Sequence, residues 1–193
     1  NDSESDEDDI VEDETMAKLN SLEIGSVVTA SIIHKRDYGI ILDIDGCVGF
    51  CLLNNIGTKD GKSIKVGKNV KVVILDVDTE KKLADVSMDS SLINDLENGD
   101  EPKKKKPKKP KKSKKEKTRS LPEQGTLMAN GEILLTKPTY VVARYGVSMI
   151  GIVSTVCYNG VLCDTDSLRK GDSVDAIVLS NSLPSNHPAR SIP

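Results

Sequence analysis

Residues 27–53, VVTASIIHKRDYGIILDIDGCVGFCLL, decide how this chain folds. Apolar residues recur there at every second position. Val28, Ala30 and Ile32 share one face of a first strand, and Ile40, Leu42 and Ile44 share one face of a second. A third run covers Cys47 to Leu53. Tyr38-Gly39 and Asp45-Gly46 interrupt the alternation, marking turns or bulges between the strands.

The pattern continues outward. Asn54 to Lys65, with Gly57 and Gly61, reads as a loop or one helical turn. Val70, Val72 and Ile74 alternate in a fourth strand, Thr79–Lys82 makes a turn, and Ala84, Val86 and Met88 point inward from a fifth. No proline interrupts residues 22–90. Five short strands in this segment predict a small closed barrel, because closure removes the unpaired edges that short strands would otherwise leave.

A second strand-like segment follows at 125–183, and it repeats the first. KVGKNVKVVIL at 65–75 matches RKGDSVDAIVL at 169–179, pairing Gly67 with Gly171 and Val70 with Val174. Upstream, Ile32 pairs with Ile133, Gly49 with Gly151, and Tyr38 with Tyr140. Nothing in this second copy matches Leu83–Met88, so it is expected to be divergent or truncated.

Charge divides the chain of 193 residues into blocks. Nine of the first fifteen residues are acidic, and residues 1–20 are expected to be a disordered acidic segment. Residues 101–120 carry eleven lysines and one arginine against two glutamates, with three prolines. Residues 91–124 therefore read as a disordered lysine-rich linker. Residues 184–193 read as an irregular end. The chain starts at Asn1 without a methionine and stops among loop-type residues, which reads as a piece of something longer.

Several classes drop out. No apolar run is long enough to span a membrane, and the acidic start is not that of a secretory signal. Two histidines, His34 and His187, leave little material for imidazole catalysis, and no phosphate-loop motif occurs. Cys47-x3-Cys51 and Cys157-x5-Cys163 lack the spacing of a structural zinc site and read as half-buried reduced thiols. No metal, no cofactor, no small-molecule substrate and no enzymatic activity are expected.

Ile24-Gly25-x-Val27, Ile32, Asp37-Tyr38-Gly39, Asp43-Ile44, Gly49-Phe50, Lys65-Val66-Gly67-x-x-Val70, Leu75-x-Val77-Asp78 and Val86-Ser87-Met88 resemble, in order and spacing, the S1 motif. This is the RNA-binding OB-type barrel first described in a ribosomal protein. The resemblance covers residues 21–90 and extends more weakly over the second segment. It implies an all-β chain of two small five-stranded OB-type (S1) barrels. Tandem S1 modules with acidic and lysine-rich tracts are similar to the multi-repeat nucleolar family of ribosomal-RNA-processing protein five. That likeness implies a non-enzymatic scaffold of pre-ribosome assembly in the nucleus and nucleolus, with pre-rRNA and other assembly proteins as partners. Protein-docking barrels, or the RNA-binding appendix of a nuclease or translation factor, are the alternatives.

The family's stacking surface implies a role for Tyr38 at the turn after the first strand. Ile41 and Leu52 stand where a second aromatic ring and a histidine are usual. Tyr140 would take the place of Tyr38 in the second copy, with Lys137 nearby. Phosphate contacts would come from His34, Lys35 and Arg36, and from Lys65, Lys68 and Lys71. The linker adds Lys103, Lys104, Lys105, Lys106, Lys108, Lys109, Lys111, Lys112, Lys114 and Lys115, whose dense charge suits RNA and nuclear targeting alike.

Overall fold

The computed structural model describes residues 6–57, 64–98, 121–154 and 167–181, and for 6–13 the backbone only. Residues 22–57 and 64–88 form the predicted barrel. Its strands are β1 (Val27–Arg36), β2 (Gly39–Ile44), β3 (Cys47–Leu52), β4 (Asn69–Asp78) and β5 (Leu83–Ser87). They close in the order β1-β2-β3-β5-β4. All neighbours are antiparallel except β3 and β5, whose parallel pairing of Val48 with Leu83 and Phe50 with Asp85 seals the cylinder.

The alternation that marks the strands also fills the barrel. Ile32, Ile40, Leu42, Cys51, Val72, Ile74 and Val86 are all at most 1% exposed and form its core. Asp45 and Gly46 both have positive φ in the β2–β3 turn, a backbone that closes a two-residue hairpin with the right twist. The Gly46 amide donates to Asp43 Oδ1 at 2.8 Å.

The acidic segment is not wholly an unstructured tail, as expected from its charge. Helix α1 spans Asp6–Ser21. Its last turns carry Met16 and Leu19, three residues apart, which pack into the barrel core; Leu19 is fully buried. Lys18 lies in the last turn, where a cation suits the helix dipole. The apolar contribution of two residues outweighs the charge pattern that the sequence advertises.

The linker boundary shifts for a similar reason. Helix α2 spans Ser90–Asn98, started by Asp89, whose Oδ1 accepts the Ser91 amide at 2.9 Å. Leu92 and Ile93 are buried and Leu96 packs beside them. Residues 99–120, including every lysine singled out between 103 and 115, lie outside the described residues, as do 1–5 and 184–193.

The second segment forms β6 (Leu127–Thr136), β7 (Tyr140–Tyr145), β8 (Met149–Ser154) and β9 (Ser173–Ile177). They make a four-stranded sheet in the order β8-β7-β6-β9, in keeping with the divergent or truncated second copy expected from the sequence. Among the described residues no strand stands where β5 closes the first barrel. The backbone bonds that frame β1 recur around β6. Ile32 exchanges bonds with Gly67 and Lys68; Ile133 does so with Gly171 and Asp172. Gly25 donates to Ile74, and Gly125 donates to Val178. Both strands also carry a bulge, between Ile32 and His34 and between Ile133 and Leu135.

The two units share a core. Val73 and Leu75 point outward from β4, yet both are fully buried, covered by Leu134, Leu135, Tyr140 and Val142 together with Leu92 and Ile93 of α2. Burial of such side chains contributes about 1.5–3 kcal/mol each, as an upper figure. The sheet and barrel therefore dock as one body.

Candidate nucleic-acid interface

Strand alternation sets what the outer face of β2 and β3 presents. With Ile40, Leu42 and Ile44 turned inward, Ile41 and Asp43 face out. Val48, Phe50 and Leu52 do the same on β3. Ladder register places Ile41 opposite Phe50 and Gly39 opposite Leu52. Tyr38, in the turn before β2, is 59% exposed, and its ring lies 5.9 Å from that of Phe50 with a 45° tilt. Such tilted pairs are worth about 0.5–1.5 kcal/mol.

Gly39 makes this contact possible. A Cβ there would stand 2.4 Å from the Cys51 carbonyl oxygen and 3.0 Å from the Phe50 ring. Only a residue without a side chain lets β3 and the ring close in behind Tyr38. Phe50 is thus the second ring of the surface, on the strand facing Ile41, where the sequence reading looked for it. The signal was present: Phe50 alternates with buried Cys51 and so must face out.

The expected cations flank this surface from two directions. His34, Lys35 and Arg36 are exposed at the end of β1, directly before Tyr38. Lys65 and Lys68 belong to the turn whose backbone bonds to Ile32, so that turn runs beside β1. Lys71 lies further along β4 and forms an ion pair with Glu97 of α2, away from the rings. Lys81 and Lys82, not singled out from the sequence, stand in the β4–β5 turn, next to the Leu83 that pairs with Val48.

Tyr140 and Lys137 do not present themselves on an open face, contrary to the expectation for both. Register explains Tyr140. Ile32 faces Leu42 and Ile133 faces Ala143, so Tyr140 occupies the rung that Gly39 holds in the barrel, one beyond Tyr38. Its side chain points at the barrel and is 7% exposed, and its hydroxyl donates to Asp76 Oδ2 at 2.6 Å. Lys137 Nζ donates to Asp85 Oδ2 at 2.6 Å and stands 3.4 Å from Asp76 and 3.9 Å from Asp78.

This cluster sets its own electrostatics. Burial pushes the Asp85 carboxyl up, and the Lys137 ammonium only partly offsets it. Burial works against the Lys137 charge, but Asp85, Asp76 and Asp78 outweigh it and raise the ammonium above its ordinary value. Burial and the bond to Asp76 raise the Tyr140 phenol. One lysine serves Asp76 and Asp85, which would otherwise be buried without a counter-ion, and shares Asp78 with Lys81, whose Nζ stands 3.1 Å from it.

Between the units runs a cleft of about 740 Å³ lined by Leu52, Asn54, Asn55, Leu134, Leu135, Thr136, Lys137, Pro138, Leu168, Arg169 and Lys170. Lys170 Nζ donates to the Asn54 carbonyl at 2.6 Å. Asn55 is buried, and its carbonyl accepts both the Met88 amide and the Ser87 hydroxyl.

Cys47 and Cys51 are free thiols inside the barrel, and burial pushes Cys51 up to about 12. Cys157 and Cys163 lie outside the described residues. Among the described residues no group of His, Cys, Asp or Glu side chains is placed to hold a metal ion.

The match to one family model agrees with the barrel. Residues 21–89 match the model of the S1 RNA binding domain. No curated protein sequence matches the chain. Among solved structures the chain is similar to one from the a/eIF2alpha–aDim2p–rRNA complex of Pyrococcus horikoshii, at 19% identity and TM-score 0.34. That likeness covers 40% of this chain and 56% of the other. GSP13 from Bacillus subtilis is 24% identical with TM-score 0.34, over 53% of this chain and 85% of GSP13. The alpha subunit of aIF2 from Pyrococcus abyssi is 22% identical with TM-score 0.35, over 39% and 31% of the two chains. The chain thus spans little more than half of the first of these and about a third of the last. Residues 21–89, the closed five-stranded barrel with Tyr38 and Phe50 on its open face, are an S1 RNA binding domain of OB type.

Proposed function

We propose that this chain is a non-enzymatic RNA-binding scaffold of pre-ribosome assembly, supporting pre-rRNA processing in the nucleolus. The exposed Tyr38–Phe50 pair carries the reading. Two adjacent rings on the outer face of an S1 barrel offer unpaired bases a stacking surface, at about 1–3 kcal/mol per base. His34, Lys35 and Arg36 beside them supply phosphate contacts. The lysines of 103–115 add an electrostatic contribution that depends steeply on salt. Few groups read base edges here, so the barrel binds weakly alone, and affinity accumulates from several modest contacts on one chain.

We also propose that the second sheet is a degenerate S1 copy whose own outer face has been given to docking. The recurring backbone bonds and bulges around β1 and β6 support this reading. Placement in the pre-ribosome rests on the likeness of the charged tracts and paired modules to the nucleolar family.

The test is oligonucleotide binding by the full chain. Changing the ten named lysines between Lys103 and Lys115 to Ser is expected to remove most of the affinity at low salt. Tyr38→Ala should then abolish crosslinking of the remaining RNA to the barrel. Nanomolar binding that ignores both changes would contradict the scaffold. A second reading, an S1 barrel that docks protein, draws on one observation: the outer face of β4 and β5 already binds another module of this chain. Crosslinking that survives Tyr38→Ala would favour it.

A further inference from the structure

We infer that Lys137 conditions the RNA face of the barrel: held on Asp85 by the second sheet, it offsets a carboxylate that would otherwise repel phosphates passing over Phe50. The inference rests on the reading of the β2–β3 face as an RNA surface, and makes that face dependent on the docked unit. Register carries it first. Ile41 lies opposite Phe50, Phe50 opposite Asp85, and Asp85 opposite Asp76, so the four share one rung around the cylinder. Ala84 and Val86 fill the core and so turn Asp85 outward, as buried Cys51 turns Phe50 outward. The ring and the acid therefore stand side by side on the outer surface, on strands about 4.8 Å apart.

Charge carries it second. Acids beside a stacking surface oppose the phosphates that bring bases to it, and at low salt that repulsion is still felt at about 10 Å. The barrel's own Lys81 reaches Asp78. Asp76 and Asp85 are met from the second sheet, by Lys137 Nζ at 3.4 and 2.6 Å. Tyr140 also reaches Asp76, but its phenol brings a hydrogen bond and no charge. With 16% of its side chain exposed, Lys137 serves as a positioning residue through Asp85 and not as a phosphate ligand. The second unit thus supplies a cation to the one rung of the barrel where ring and carboxylates adjoin.

Fluorescence anisotropy of the full chain with an oligouridylate of about twelve nucleotides tests this, the lysine tract being common to every variant. Asp85→Asn keeps the shape and removes the repulsion. It should tighten binding about fivefold at low salt, a gain that vanishes at about 1 M, where the screening length falls to about 3 Å. Lys137→Met should weaken binding by a similar factor, and adding Asp85→Asn to it should restore the affinity. Lys137→Arg, which keeps the charge, should bind as the unaltered chain does. Tyr140→Phe loosens the same interface and changes no charge, so it should leave affinity in place; a loss there would assign the effect to docking alone and overturn the inference. Unchanged affinity in Asp85→Asn, with binding still weakened by Tyr38→Ala, overturns it too and leaves the barrel reading standing. That variant keeps Lys137 and stays decisive even if Lys137→Met fails to fold. Binding that ignores Tyr38→Ala sinks the barrel reading and the inference with it.

Discussion

The outer face of β2 and β3 and the outer face of β7 and β8 sit in the same place within their units, yet only the first is open. On the barrel, Phe50 and Leu52 stand beside Tyr38, with 59% of that ring exposed. On the second sheet, Tyr140, Val142, Ile150 and Ile152 are pressed against β4 and α2. The difference begins at one rung of the ladder. Gly39 gives that rung no side chain and lets Phe50 settle beside a free tyrosine; Tyr140 fills the same rung and reaches the Asp76 carboxylate. A tyrosine serves as a surface ring in one unit and as a bolt in the other, and one residue of register separates the two roles.

The largest test of this contrast is Lys137→Met. Removing the ammonium leaves Asp76 and Asp85 buried without their counter-ion, while Asp78 keeps Lys81, and a loss of about 3–5 kcal/mol in urea unfolding is expected. A loss below about 1 kcal/mol would mean that water already compensates the acids. The same variant should change the pH profile. Lys137 is raised above its ordinary 10.5, so its contribution is complete below that value and fades as pH climbs through the higher folded one. That alkaline fall should be absent without the lysine. On the acid side, Asp78 is held below 3.8: burial pushes it up, but Lys81 and then Lys137 outweigh the effect. Its contribution is present above 3.8 and is lost as pH drops through the lower folded value.

Next in size is a crossed pair of tyrosine variants. Tyr140→Phe removes a hydrogen bond to a buried charged acceptor and should cost about 1.5–3 kcal/mol of stability without moving RNA affinity. Tyr38→Ala should do the reverse, weakening oligonucleotide binding by about 1–3 kcal/mol. Its stability should stay within about 0.5 kcal/mol of the unaltered chain. Stability losses of equal size in the two variants would erase the distinction between the faces. The smallest expected effect is chemical. With its thiol at about 12 and fully buried, Cys51 should resist iodoacetamide at pH 8 until the barrel is unfolded, as read by peptide mass spectrometry.

The barrel was legible because most inward residues lie on a period of two, as from Ile40 to Ile44 and from Val72 to Ile74, and because the turns are punctuated by Gly46 and Lys82 at positive φ. Tyr38 was legible for the same reason, as the residue just outside a strand. Two kinds of feature were not. The helices α1 and α2 were hidden because a handful of apolar side chains, Met16 and Leu19 or Leu92 and Ile93, sit within strongly charged stretches, and composition averages them away. The docking of the units was hidden because Val73 and Leu75 look like ordinary alternates of a two-sided strand. Nothing local says that the side facing out will be covered. Asp76 and Asp85 carried a hint, as acids within apolar strands, but their partner Lys137 lies far along the chain.

The position of Leu19 bears on how this barrel can be handled. Limits drawn at residues 21 and 89, where the family pattern begins and ends, cut just inside the helix that closes one mouth of the cylinder. Such an excised cylinder would be a vessel without its stopper: water would gain the space of a wholly enclosed leucine and reach Cys47, whose sulfur now sits 3.7 Å from the Thr15 carbonyl.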